Sequence, residues 1–372
     1  PKAVRLRLWR ALKALGGAAL RDGDYLLPAA QAPQLDALAV EVQQHGGSAM
    51  VLALAARDET QRQQVLALFD RSPAYAEWRT EADALHAALG SVTEGEARRR
   101  LRAVTDALRT ELPALDWHEA PRATRGQLLR AHAPDLLEAV LETHPAQRIL
   151  LDPDTVLSPA SAEAALRAAG AAVAAVDAVL SGKTRRAFCA VRPPGHHATR
   201  DAAMGFCLFN NIAVAALHAL ERHGLERVAI VDFDVHHGNG TQAIFERDPR
   251  VLFASSHQWP LYPETGARDE IGAGNIFNAP LPIEAEGFLF RRAWEDVLLP
   301  AVHDFRPQLL LVSAGFDAHW RDPLAQLRLQ AGAYAWITDE LVALANRHCG
   351  GRIVSSLEGG YDLSALAESC VA

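Results

Sequence analysis

The stretch at residues 228–241, V-A-I-V-D-F-D-V-H-H-G-N-G-T, sets the narrowest limits on what this chain can fold into. Val228, Ala229, Ile230 and Val231 form an unbroken apolar run, the pattern of a strand buried on both faces of a parallel sheet. Polar residues then alternate: Asp232, Asp234, His236. Side chains two apart in a strand point to one side, so two carboxylates and an imidazole emerge together where a Gly-rich turn begins. That donor set suits a borderline metal such as zinc. A strand-end Asp capping the next helix accounts for one of these acids, but not for two alternating with His-His in an apolar segment.

The chain's 372 residues leave room for one large and one small domain. Residues 1–110 carry 15 Lys+Arg against 13 Asp+Glu, and the remainder 22 against 32. An acidic larger part argues against broad phosphate-backbone binding there. Cys189, Cys207, Cys349 and Cys370 are far apart with no C-x-x-C, which argues against a disulfide framework and a Cys-type zinc site. No apolar run reaches the ~18–20 residues that span a bilayer and no signal peptide is recognisable, so a cytoplasmic protein without membrane contact is expected.

Residues 1–92 have a rhythm of their own. Residues 4–15 are amphipathic and stop at Gly16-Gly17, and residues 18–27 read as a short hairpin. Residues 34–44 read as a helix, 49–55 as a strand and 59–70 as a helix. That order predicts a small α+β, ferredoxin-like domain lacking its first strand. The segments R-L-R-L-W-R-A-L-K-A-L-G-G-A-A-L-R-D-G-D-Y-L-L-P (5–28) and F-D-R-S-P-A-Y (69–75) resemble the N-terminal domain of the chromate-resistance regulator ChrB. The resemblance implies a regulatory domain with a nucleic-acid face at Arg5, Arg7 and Arg10. An amphipathic helix with a solvated basic side accounts for the same charges.

Residues 93–112 form a charged helix closed by Pro113, the expected joint. An Ala-rich helix is predicted over 162–180, stopped at Ser181-Gly182. Short apolar runs at 187–191, 228–231, 251–254, 309–312 and 353–357 alternate with helices. This predicts a three-layer α/β/α domain with a mostly parallel sheet covered on both faces.

In such sheets the ligand sits beyond the carboxyl ends of the strands. Those ends carry His196 and His197; Asp232, Asp234 and His236; Ser255, Ser256 and His257; Asp317; and Tyr361. Asp234, His236 and Asp317 would hold zinc with one position open for water. His196 and His197 are the candidate bases, with Asp232 and Asn239 as partners for their second nitrogens. Tyr361, behind Gly359-Gly360, is placed to donate to an oxyanion.

The segments P-P-G-H-H-A, D-F-D-V-H-H-G-N-G-T-Q, S-A-G-F-D-A-H and E-G-G-Y, in that order, resemble the histone deacetylase family of the arginase/deacetylase fold over about residues 98–372. The resemblance implies one zinc ion on Asp234, His236 and Asp317, His197 as general base then acid, and His196 as its electrostatic partner. It also implies tunnel walls at Gly205, Phe206 and Tyr262, a rim residue at Leu324, and a monovalent-cation site, for potassium, at Asp232, Ser255 and Ser256. Asn239 is similar to class II members. Gly359 belongs to the substrate-binding loop before Tyr361. Asp152 and Asp154 are either helix N-caps or, for one of them, a grip on the substrate backbone. The family's opening strand and H-P-E-x-P-x-R-L loop have no counterpart here; only the helix around residues 99–104 remains.

The expected reaction is hydrolysis of an acetyl or short acyl amide on a lysine-type amine, releasing acetate. Acetylpolyamines are the alternative substrates, although Leu324 offers no grip on a cationic chain. An arginase-like enzyme needs a second ligand two residues beyond His236, where Gly238 stands. A transcriptional regulator using the pocket only to bind a ligand is the non-enzymatic alternative, which intact His197 and Tyr361 disfavour.

Overall fold

All five residues of the strand Val228–Asp232 are buried, and the sheet extends from it in both directions. The structure, a computed structural model, describes residues 18–21, 24–27, 31–44, 48–54, 56–67 and 94–372. The chain divides into two compact units, Pro1–Ala88 and Leu89–Ala372.

In the first unit, β1 (Ala18–Arg21) and β2 (Asp24–Leu26) pair antiparallel, as the hairpin reading required. Helices cover Ala32–Gln44 and Glu59–Ala67. The strand expected over 49–55 is not seen in its described part: residues 48–54 form no ladder with any described residue. Leu52 and Leu54 are 66% and 72% exposed there. Apolar content alone does not make a strand without a partner edge. The amphipathic segment 4–15, its basic face, and the ChrB-like residues 5–17 and 69–75 lie outside the described residues.

In the second unit the hairpin β3 (Ile149–Asp152) and β4 (Thr155–Leu157) precedes the main sheet. The main sheet comprises β5 (Arg186–Cys189), β6 (Val228–Asp232), β7 (Val251–Trp259), β8 (Ile276–Pro282), β9 (Leu309–Ala314) and β10 (Ile353–Leu357). The order is β5-β10-β9-β6-β7-β8, with every neighbouring pair parallel. The expectation of a mostly parallel sheet is thus met, with one strand more than the apolar runs indicated. The extra strand, β8, contains Pro280 and Pro282. Proline removes a ladder donor and is tolerated at an edge, which is where β8 lies among the described strands.

The two-residue period of β6 explains the layering. Val228 and Ile230 enter one core with Val173, Val176 and Ile212, from the helices Ser161–Leu180 and Asn211–His223. Ala229 and Val231 enter the other with Val104, Ile337 and Leu366, from Glu94–Glu111, Ala331–His348 and Leu363–Val371. Because all six strands run the same way, their carboxyl ends share one edge, and the polar residues following them converge there. No helix among the described residues is long and apolar enough to cross a membrane.

Candidate active site

Beyond β6 the chain turns so that Asp234 and His236 meet Asp317, which follows β9. His236 Nδ1 lies 3.1 Å from Asp234 Oδ1 and 3.2 Å from Asp317 Oδ2, and the three donors fall within 4.8 Å of one another. Both carboxylates are buried. Their remaining oxygen positions are satisfied by backbone amides: Gly359 N–H donates to Asp234 Oδ2 at 2.7 Å, and Val235 N–H to Asp317 Oδ1 at 2.9 Å. Two buried carboxylates in contact repel unless a cation joins them. Burial disfavours the charged ring of His236, but Asp234 and Asp317 outweigh it and push its pKa to about 10. Burial and the neighbouring Asp234 push the Asp317 carboxyl upward. A buried two-carboxylate, one-imidazole cluster that demands positive charge fits zinc, with a fourth position left for water. Position 238 admits no further ligand: even a Cβ there would lie 2.3 Å from Asp232 Oδ2.

His196 and His197 sit side by side, ring centroids 4.1 Å apart, yet have opposite electrostatics. His196 Nδ1 donates to Asp232 Oδ2 at 3.0 Å, and its Nε2 lies 3.8 Å from Asp234 Oδ2. Burial works against its charge, but Asp234 and Asp232 prevail and raise its pKa to about 10. His197 Nδ1 faces Asn239 Oδ1 at 2.7 Å, while the Asn239 amide nitrogen faces Met204 Sδ at 3.4 Å. That orientation makes Nδ1 the protonated nitrogen and leaves the Nε2 lone pair open. Burial, then the charges of His196 and His236, hold the His197 pKa well below the usual histidine range. The pair is therefore biased in opposite senses, His196 towards its charged form and His197 towards its neutral form, with the His197 ring 5.8 Å from that of His236.

Aromatic residues frame this cluster. Tyr262 lies edge-on to His197 at 5.2 Å, and Phe206 to Tyr361 at 6.0 Å. Phe206 and Gly205 both adopt positive φ, at 64° and 57°. They are pinned by the β3–β4 turn, where Asp154 Oδ1 accepts from Gly205 N–H and Thr155 Oγ1 from Phe206 N–H, each at 3.0 Å. The helix-cap reading of Asp152 and Asp154 is therefore wrong: the residue capping Ser161–Leu180 is Ala160, with no side-chain bond, and Asp152 ends β3. Burial, then Asp317 and Asp234 (against the opposing Arg192), push the Tyr361 hydroxyl well above its usual pKa and keep it a donor.

Asp232 and Ser255 are register partners across β6 and β7. Ser255 Oγ lies 3.0 Å from His257 Nδ1. Ser256 points to the other face, where its hydroxyl accepts from Trp294 Nε1 at 3.0 Å. Strand alternation thus separates the two hydroxyls, and the Ser256 side chain does not join Asp232. His257 is buried and bonded also to Gly266 O at 3.0 Å. Cys207 is buried and burial raises its thiol, as expected of a structural cysteine.

Sequence reasoning assigned no role to two buried acids. Glu358, in E-G-G-Y, accepts from Gly195 and His196 N–H, and burial lifts it to about 7. Asp322, in D-P-L, accepts Leu324 N–H on one oxygen at 3.1 Å and Tyr361 N–H on the other at 2.7 Å. The half-buried Leu324 is tied in this way to the loop of Tyr361. The only signal for either acid was a charged residue inside a small-residue turn.

A second group, Asp177 with His218 and His223, also has metal-ligand composition. There Arg130 donates to His218 Nδ1 at 2.9 Å, which leaves the proton on Nε2, donating to Asp177 at 2.8 Å. That group is a hydrogen-bonded cluster in which the buried His218 has no free imidazole lone pair.

Residues 94–372 match the family described as the histone deacetylase domain. The chain is 43% identical over 281 residues to a histone deacetylase-like amidohydrolase of Pseudomonas aeruginosa, covering 74% of this chain and 73% of that protein. It is 41% identical over 267 residues to the human polyamine deacetylase HDAC10, covering 67% of this chain and 39% of that one. The crystal structure of the HDA15 HD domain superposes with a TM-score of 0.70 at 38% identity, over 73% of this chain and 79% of that chain.

Proposed function

Because the chain belongs to the histone deacetylase family and is an amidohydrolase of that kind, we propose that it removes acetyl or short acyl groups from lysine-type amines, using one zinc ion held by Asp234, His236 and Asp317. When bound, zinc supplies the Lewis acidity that polarises an amide carbonyl and brings the pKa of water from near 16 to about 7. The observation that carries the reading is His197 Nδ1 held at 2.7 Å by Asn239 Oδ1, which turns Nε2 into the free acceptor of a ring 5.8 Å from that of His236.

His197 Nε2 takes a proton from the attacking water and later returns it to the departing amine. His196, kept charged by Asp232 and Asp234, holds positive charge beside the reacting centre and discourages early protonation of His197. Tyr361 donates to the oxyanion, a contact whose loss costs about 3–4 kcal/mol in comparable sites. Gly205, Phe206 and Tyr262 line the acyl channel, Gly359 floors it against the metal ligands, and Leu324 stands at its rim. A potassium ion near Asp232 and the Ser255 hydroxyl is part of the same proposal, with Ser256 restricted to its backbone.

The test is acetate release from a panel of acetyl-lysine peptides and N-acetylpolyamines by wild type and Tyr361→Phe, with and without chelator. Chelator-sensitive release, reduced about 10²–10³-fold by the substitution, is expected. Absence of chelator-sensitive release across the panel rejects the reading.

A further inference from the structure

Glu358 follows β10 and is fully buried, yet nothing in the proposed chemistry uses it. Its carboxylate reaches across the sheet edge to two other strand ends. Oε2 accepts the N–H of Gly195 at 2.5 Å and of His196 at 3.1 Å, while Oε1 accepts from Ser313 Oγ at 3.3 Å. Gly195 and His196 lie past the end of β5, where the sheet ladder supplies no partner. A buried N–H left without an acceptor costs about 1–3 kcal/mol, so these two amides take their position from one oxygen. Successive N–H groups aimed at a single anion form a concave anion-binding nest.

The backbone of the same residue is tied to the other half of the site. Glu358 N–H donates to Ala314 O at 2.9 Å, at the end of β9, ahead of Asp317. Its carbonyl accepts from Arg192 Nη1 at 2.5 Å, and that guanidinium lies 5.9 Å over the Tyr361 ring. One residue on, Gly359 N–H binds Asp234, and two further stands Tyr361. A single residue thus grips the histidine loop with its side chain and its carbonyl, and the end of β9 with its N–H, while the chain runs on from it to Tyr361.

We propose that Glu358 is a positioning residue: the length of its side chain sets where His196 and His197 stand relative to Tyr361 and the metal ligands. The inference rests on the deacetylase reading above. An atom misplaced by about 1 Å costs on the order of 10²-fold in rate, and the main-chain anchors leave the side chain's own length as the adjustable dimension.

Three substitutions separate position from charge and from packing. Glu358→Gln keeps the length and an oxygen for both amides and turns its NH2 towards Ser313 Oγ, but removes the charge. Glu358→Asp keeps the charge but is shorter by one bond, about 1.5 Å. Glu358→Met fills the space and accepts nothing. Steady-state deacetylation, zinc content and melting temperature are measured on each beside wild type.

The expected order of kcat is wild type, then Gln within about five-fold, then Asp and Met lower by about 10²-fold, with KM within about three-fold and zinc retained. Asp equal to or faster than Gln overturns the proposal, because charge would then outrank length. Uniform activity across folded variants overturns it too, as does a kcat loss that merely follows lost zinc or lost folded protein. Should Met fail to fold, the Gln-to-Asp order still decides. An inactive wild type would instead reject the deacetylase reading, and is thereby distinguished.

Discussion

Gly205→Ala tests the placement of His197 through steric contact. At this position φ is +57°, and an added Cβ would lie 2.3 Å from His197 Cδ2, 2.5 Å from Cγ and 2.8 Å from Cβ. Ordinary contact begins near 3.4 Å, so the imidazole has to retreat by about 1 Å. It cannot swing freely: Nδ1 is held at 2.7 Å by Asn239, and the ring is flanked by His196 at 4.1 Å and Tyr262 at 5.2 Å. Displacing a proton-transfer group by that much predicts a fall in kcat of about 10²-fold with KM little changed. The left-handed backbone adds a separate cost of about 1–2 kcal/mol to stability. Gly182→Ala isolates that second cost, since Gly182 has φ +78° and nothing within 4 Å of its would-be Cβ. The assay is steady-state deacetylation together with thermal melts and zinc content for both variants. Gly182→Ala is expected to melt earlier at full kcat, and Gly205→Ala to lose kcat while retaining its metal. A folded, zinc-replete Gly205→Ala enzyme with wild-type kcat would refute the assignment of His197 as the proton-transfer group.

Replacing Asn239 with Asp puts a carboxylate against His197 Nδ1 in place of a neutral amide. The anion favours imidazolium and raises the His197 pKa, so the acid limb of the kcat/KM profile moves to higher pH by about one unit or more; an unmoved limb would mean that another group takes the proton. His132 supplies a stability test away from the metal: its Nδ1 faces Thr199 O at 2.8 Å, and its Nε2 accepts Asn210 N–H at 2.9 Å. Burial lowers its pKa from 6.5 to about 4. Between these values the unfolded chain binds a proton that the folded chain refuses, so stability is full above about pH 6.5 and falls as the pH drops towards 4, by up to roughly 3 kcal/mol. Urea midpoints at pH 7 and pH 5 should therefore converge in His132→Gln relative to wild type; an unchanged difference contradicts the linkage.

The chemistry was legible where the sequence period carried it. The abrupt change from four buried apolar residues to D-F-D-V-H marked the candidate site at the end of β6, although the strand stops at Asp232 and a turn, rather than strand alternation, brings Asp234 to His236. Parallel strands then required the groups after β5, β9 and β10 to converge there. What was illegible depended on contacts with no local pattern. Glu358 binds Gly195 across 163 residues, and nothing in E-G-G-Y announces that partner. β8 was hidden by Pro280 and Pro282, which mark a break in an interior strand but are harmless at an edge. Asp154 looked like a helix cap because a short acidic turn before a long helix usually is one; in the structure it sits in the β3–β4 turn and braces Gly205 instead. The stretch 49–55 failed in the opposite sense, apolar enough for a strand but with no described neighbour to pair with.

The proposed deacetylation requires a metal ion at Asp234, His236 and Asp317 serving His197. The most direct measurement titrates zinc into metal-free protein while following both bound metal and acetate release from an acetyl-lysine peptide. Activity is predicted to start near zero, rise in proportion to bound zinc and break sharply at one ion per chain. Full activity before zinc is added, or none once one ion is bound, would contradict it.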